Sequence, residues 1–170
     1  VNELMDFRKS EAGILRLHVM EGNVAWFLQE IAEEFSVLAQ EKNIDFVVNP
    51  GYASTGFWFD RQILEKILIN LISNAFKYTP VGGRITLEIV ENLDNFKPSF
   101  ANELILKSEY KAQRYLYFRV LDNGIGISKE SIGHLFERYY RISDAHLGSG
   151  IGLAFVKSLT ALHKGLILVS

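Results

Sequence analysis

Asn70-Leu71-Ile72-Ser73-Asn74-Ala75-Phe76-Lys77-Tyr78-Thr79 reads as the second half of a helix with two unlike faces. At ~100° per residue, Lys66, Asn70, Asn74 and Lys77 fall on one narrow stripe, while Leu64, Ile67, Leu68, Leu71, Ile72 and Ala75 fill the adjoining arc. One face is therefore core, and the other presents amides and ammonium groups. A solvated face is the plain reading of such a stripe. Two features weigh against it. Asn is a poor interior helix former, disfavoured by roughly 0.5 kcal/mol relative to Ala, yet two stand one turn apart. Beside them is Lys77, which can meet phosphate. An Asn carbonyl is a hard, neutral oxygen ligand, so a magnesium site built on it stays weak until phosphate oxygens complete it.

Working outward, Asp60 opens this helix, and Pro80 with Gly82-Gly83 closes it. Ile85, Leu87 and Ile89 alternate, as do Leu116, Phe118 and Val120, and each set predicts a strand. The polar segment from Asn92 to Arg114, which contains Pro98, reads as an exposed hairpin extension or loop of no assigned function. Upstream, Ile44, Phe46 and Val48 predict a strand ended by Pro50-Gly51. Asn23 caps a helix whose apolar positions Val24, Phe27, Leu28, Ile31, Phe35 and Leu38 keep the 3.6 period. Ile14 to Val19 reads as a strand, and Val1 to Ser10 as the tail of a helix. A last helix is expected from about Ser149 to Lys164, stopped by Gly165, with a strand starting at Leu166. Helices and mostly non-parallel strands mixed along one chain predict a two-layer α/β sandwich, with helices on one face of a mixed, mostly antiparallel sheet.

Two glycine blocks carry the remaining chemistry. The strand from Tyr115 to Leu121 runs into Asp122-Asn123-Gly124-Ile125-Gly126. Asn-Gly is a common hairpin turn, but Ser128 to Phe136 shows a helix cap and no alternation, so no returning strand follows. A carboxylate at a strand end can accept a hydrogen bond from an adenine amino group, and Gly124 and Gly126 let backbone approach the ring. Gly148-Ser149-Gly150-Ile151-Gly152 flows into a helix, whose N-terminal N–H groups and positive dipole end suit phosphate. The Walker pattern is absent. Asp144 to Leu147 has no hydrophobic period and suggests a mobile lid, with His146 as an exposed loop residue.

At 170 residues, 48% hydrophobic and 12% aromatic, with three prolines, the chain suits one packed domain and not a disordered one. A net charge of −2 offers no basic field for duplex nucleic acid. The absence of cysteine excludes disulfides and thiolate metal sites. No apolar run approaches ~18 residues, so none of these residues reads as a membrane span.

The asparagine stretch, Asp122 to Gly126, Phe136-Glu137-Arg138-Tyr139-Tyr140-Arg141 and Gly148 to Gly152 stand in one order over about eighty residues. Together they resemble the N, G1, F and G2 boxes of the catalytic ATP-binding domain of sensor histidine kinases, in the superfamily shared with gyrase, Hsp90 and MutL. The resemblance implies a Bergerat-type ATP-binding fold and ATP with Mg²⁺ as cofactors. It implies a metal ligand at Asn74, phosphate contact at Lys77 and nucleotide contact at Tyr78. Asp122 becomes the main adenine determinant, with Gly124 and Gly126 beside it. Phe136 packs the lid base and Tyr140 covers the nucleotide. Arg141 approaches the γ-phosphate, with Arg138 a lesser candidate. Gly148, Ser149, Gly150, Ile151, Gly152 and Leu153 form the phosphate cradle. Asn70, Lys77 and Arg141 make up the catalytic set.

The same resemblance divides the chain into 1–12, the end of a preceding dimerisation helix, and 13–170, the catalytic domain, to which the family usually adds further strands. The acceptor pattern His-Glu/Asp-x-x-Thr/Asn-Pro surrounds none of His18, His134, His146 and His163. The phosphoacceptor is therefore expected on the dimerisation domain, and a response-regulator receiver domain is the expected partner. No direct nucleic-acid binding by this domain is implied. The whole protein is expected to be a membrane-anchored homodimer with this domain in the cytoplasm, and residues 141–165 also resemble hybrid two-component sensors. The hydrolytic relatives place a Glu one turn before the magnesium Asn as general base. Here that position is Asn70, which cannot take a proton usefully. This favours a kinase over a hydrolytic clamp, while a degenerate docking or phosphatase-support module stays open at this stage.

Overall fold

The computed structural model describes residues 2–51, 56–91, 104–106, 110, 115–142 and 149–170. The first half runs α1 (Asn2–Glu11), β1 (Met20–Gly22), α2 (Val24–Glu33), α3 (Ser36–Glu41), β2 (Asp45–Asn49) and β3 (Phe57–Phe59). The second runs α4 (Arg61–Tyr78), β4 (Arg84–Val90), β5 (Leu104–Leu106), β6 (Tyr117–Asp122), α5 (Lys129–Ile132), α6 (Gly152–Leu162) and β7 (Ile167–Val169). β4 is central: β2 runs parallel on one side of it and β6 antiparallel on the other. β1 with β3, and β5 with β7, form two antiparallel ribbons, so the sheet structure is mixed and mostly antiparallel as expected.

Side-chain alternation decides which face the helices cover. Ile85, Leu87 and Ile89 of β4 are buried, while Thr86, Glu88 and Val90 between them are only partly so. The buried face packs against Phe27, Leu28 and Ile31 of α2 and Leu64, Leu68, Ile72 and Phe76 of α4. Glu88 and Arg119, opposite each other in register, form an ion pair of 2.8 Å. α2 and α4 start on side-chain caps: Asn23 accepts from the Trp26 N–H and Asp60 from the Ile63 N–H. At the far end of α4, the Lys42 ammonium donates to the Phe76 carbonyl at 2.7 Å. A second cluster joins Phe7 of α1, Ile63 and Ile67 of α4, and Ile151, Phe155, Val156 and Leu159. α4 is thus wedged between two cores.

Four expectations change. Residues 14–19 are not a strand; the ladder forms at Met20–Gly22. The helix expected from Asn23 to Leu38 is two helices, divided where Phe35 stacks on Phe76 at 5.5 Å with the rings 9° apart. The segment 92–114 includes a strand, Leu104–Leu106, paired with the last one; its other residues, except Tyr110, lie outside the described residues. The last helix starts at Gly152, because Gly150 takes a left-handed φ of +68° that a right-handed helix excludes, and at its other end Lys164, not Gly165, holds the positive φ.

Candidate functional site

The amide face of α4 is shorter than its wheel suggests. The Lys66 ammonium is paired with Asp6 of α1, which removes it from the stripe. The Asn70 side-chain amide donates to the Lys66 carbonyl one turn back, at 3.0 Å. Asn74 and Lys77 continue the face, both half-buried, and the Lys77 ammonium lies 5.0 Å from the Tyr78 ring centre. Half-burial suits these groups: enough protein surrounds them to fix their rotamers, and they still reach the surface.

β6 delivers Asp122 to the end of that helix. One carboxylate oxygen of Asp122 accepts from the Gly124 N–H at 2.9 Å, which folds the loop back on itself. The Ile125 N–H then donates to the Tyr78 carbonyl at 3.3 Å, satisfying one of the orphan carbonyls of α4. A Cβ on Gly124 would lie 2.5 Å from the same carbonyl, so only glycine permits this approach. The close approach predicted for Gly124 is thus to the protein's own helix end. Gly126 serves the turn itself, with φ +71°. Asn123 locks the loop to β4, exchanging bonds with the Arg84 backbone. Asp122 remains exposed, with acceptor capacity left on its carboxylate.

A second joint links the remaining blocks. Leu135 and Phe136 are buried and root the 136–141 segment. Tyr139 has φ +61°, and its N–H donates to the Gly150 carbonyl at 2.9 Å. A Cβ on Gly150 would sit 2.8 Å from the Tyr139 backbone. Ile151 is buried, Gly152 and Leu153 open α6, and the helix has no side-chain cap bond at its N-terminus. Among the described residues its first N–H groups are left for an anion to meet. Ser149 accepts from the Ile151 N–H at 3.3 Å. The His134 ring lies 5.5 Å from that of Tyr140 and bonds Glu137 at 2.9 Å. Arg141 is exposed on the same segment. Arg138 turns away: it pairs with Glu11 and lies over the Phe7 ring, so it is committed to α1 and not to a phosphate. Gly148, His146 and the rest of 143–148 lie outside the described residues.

The sequence pattern points to no role for Thr79. It is 4% exposed, and its hydroxyl has no hydrogen-bond partner among the described residues. A buried hydroxyl normally finds a partner in protein, water or ligand, and this one lies at the joint between α4 and the Asp122 loop. Its signal was faint because a Thr after a helix reads as a terminator. His163 accepts from the Asp60 N–H, and burial pushes its pKa below the usual imidazole value, an effect that Asp60 opposes. It belongs to the base of α4 and not to the site.

The model of the histidine kinase-, DNA gyrase B- and HSP90-like ATPases matches residues 59–170. The chain belongs to that family. Histidine kinase P4 of Formosa agariphila is 36% identical over 98% of this chain. Hybrid signal transduction histidine kinase D of Dictyostelium discoideum is 32% identical over 99%. The aerobic respiration control sensor protein ArcB homolog of Haemophilus influenzae is 33% identical over 95%. This chain spans 11%, 10% and 44% of those proteins respectively. Full-length ShkA in complex with AMPPNP has the same fold, with a TM-score of 0.69 at 24% identity over 95% of this chain and 30% of that one. Within the family, the chain is a histidine-kinase-type catalytic ATP-binding domain.

Proposed function

We propose that this domain binds Mg-ATP between the amide face of α4, the Asp122 loop and the start of α6, and donates the γ-phosphate to a histidine on a dimerisation domain upstream. One observation carries the reading: Gly124 and Ile125 are packed on the Tyr78 carbonyl, which puts the adenine-type carboxylate and the Asn74–Lys77 face on one joint. The residues fit the ligand. Asp122 would accept from the adenine amino group and the N-terminus of α6 would hold phosphate, while the Thr79 hydroxyl, without a partner among the described residues, lies beside the loop. Among the described residues no group of three His, Asp or Glu could hold a metal ion. The Asn74 carbonyl would therefore share Mg²⁺ with phosphate oxygens and water. ATP supplies the phosphoryl group; the chain's part is to orient it, with Lys77 and Arg141 offsetting its charge. Asn70, held to its own helix and without a proton-accepting group, provides no base for water. This favours transfer to an imidazole over hydrolysis.

On this reading α1 is the end of the dimerisation helix, residues 13–170 are the catalytic domain, and the partner is a receiver domain. The whole protein would be an inner-membrane homodimer with this domain in the cytoplasm. No helix among the described residues is long and apolar enough to cross a membrane, so an anchor would lie elsewhere. Calorimetric titration with a non-hydrolysable ATP analogue, with and without Mg²⁺, tests the site. Asp122→Ala should lower affinity by about a hundredfold, the upper range for a bond to a charged group, with only a small drop in melting temperature from the lost Gly124 bond. Near-normal affinity in that variant would remove the adenine assignment.

A further inference from the structure

Three contacts dock α1 on the domain: Phe7 meets Phe155 edge-on at 5.9 Å, Ser10 bonds Ser158, and Asp6 pairs with Lys66. A fourth differs in kind. Glu11, at the end of α1, holds Arg138, whose guanidinium carbon also lies 5.5 Å from the centre of the Phe7 ring. Arg138 belongs to neither α4 nor α6. It is the residue before Tyr139, whose backbone carries the bond to Gly150. The contact to α1 and the contact to the glycine block are therefore one peptide unit apart.

That peptide unit is under constraint. A non-glycine residue in the left-handed region is strained and persists only when its surroundings fix it. Buried Leu135 and Phe136 fix the chain before Arg138, and the Gly150 carbonyl fixes it at Tyr139. Glu11 and Phe7 supply the remaining hold, on the Arg138 side chain. We infer that Arg138 is a positioning residue that ties the docking of α1 to the shape of the phosphate cradle at Gly150–Gly152. The inference rests on the nucleotide reading of that cradle. By linkage it works in both directions: docked α1 strengthens nucleotide binding, and bound nucleotide strengthens the docking of α1. A movement that draws Glu11 away would loosen the hold on phosphate without touching a phosphate-binding residue.

The test uses this chain with Glu11→Gln, Arg138→Gln and the reversed pair Glu11→Arg with Arg138→Glu. The Arg138 and Glu11 side chains are 57% and 32% exposed, so each variant should fold, which thermal melting checks. Each single variant should bind the Mg²⁺-loaded ATP analogue about fivefold more weakly, the scale of an exposed ion pair plus one cation–π contact, and the reversed pair should recover most of the loss. Hydrogen exchange supplies a readout that a purely structural role would not move. Nucleotide should slow exchange at Ala12, Gly13 and Ile14, whose N–H groups bond back to Arg8, Ser10 and Lys9, and should fail to do so in Arg138→Gln. Unchanged affinity in both single variants, with Asp122→Ala still defective, would overturn the coupling and spare the nucleotide site. Binding that ignores Asp122→Ala would overturn the reading of the site, and this inference with it.

Discussion

The two ends of the proposed site are built differently. The Asp122 end grows out of the sheet: β6 is laddered to β4, Asn123 is bonded to Arg84, and Ile125 is bonded to Tyr78. It rests on the larger core, where α4 meets β4 and α2. The Gly150 end rests on the smaller cluster of α1, α4 and α6, and among the described residues a main-chain bond from Tyr139 to Gly150 joins it to the 136–141 segment. Ladder bonds and buried sheet faces resist local opening, whereas a segment with few buried bonds opens at low cost. On the proposed reading the adenine end is the preformed one, and the phosphate end is the part that α1 and nucleotide would adjust.

Substitutions can break this comparison, and the largest effect belongs at the sheet end. Gly124→Ala puts a Cβ 2.5 Å from the Tyr78 carbonyl, where only backbone can give way. It should cost about 3 kcal/mol, the upper range for overpacking, with no detectable nucleotide binding; denaturant unfolding and titration check both. Gly150→Ala combines φ +68° with a 2.8 Å approach to Tyr139. It should cost about 2 kcal/mol and weaken phosphate contact while adenosine affinity stays near normal. Equal loss of adenosine and ATP binding in that variant would make the two ends one unit. Asn74→Ala should reduce Mg²⁺-dependent affinity about tenfold, the worth of one bond to a charged partner, and Mg²⁺-free affinity less.

The smallest effect lies outside both ends, at the base of α4. Burial lowers the His163 pKa from 6.5. The folded state then resists a proton that the unfolded chain accepts, so stability should fall as pH drops below about 6.5 and level off beneath the lowered folded value. His163→Gln should flatten that slope in melting curves taken between pH 7.5 and 5.5, without altering nucleotide affinity at pH 7.5.

Local chemistry was legible wherever a residue answers to its own neighbours. The Asn23 and Asp60 caps, the alternation of β4 and the apolar face of α4 all stand as read, because periodicity records which side is buried. The same signal misled at Ile14 to Val19. Leu15 and Leu17 do turn inward, onto the second cluster, while Ile14 and Val19 are exposed. Alternation reports one buried face, but a strand also needs a neighbour, and the chain opposite residues 14–19 is a helix surface. Lys66 and Arg138 differ from their expected places for a related reason: the wheel puts Lys66 on the amide stripe and the resemblance makes Arg138 a lesser candidate for phosphate, yet each is taken by a carboxylate of α1, more than a hundred residues away in the case of Arg138.

The sequence by itself determined the family, the order of the four blocks and the chemistry each block can offer, since these depend on residue type and short spacing. Only the tertiary structure decided which backbone Gly124 must approach, that Tyr139 and Gly150 share a joint, and that Arg138 faces α1. Those outcomes depend on close approach between distant segments, and excluded volume between them is set by packing, which no local pattern encodes.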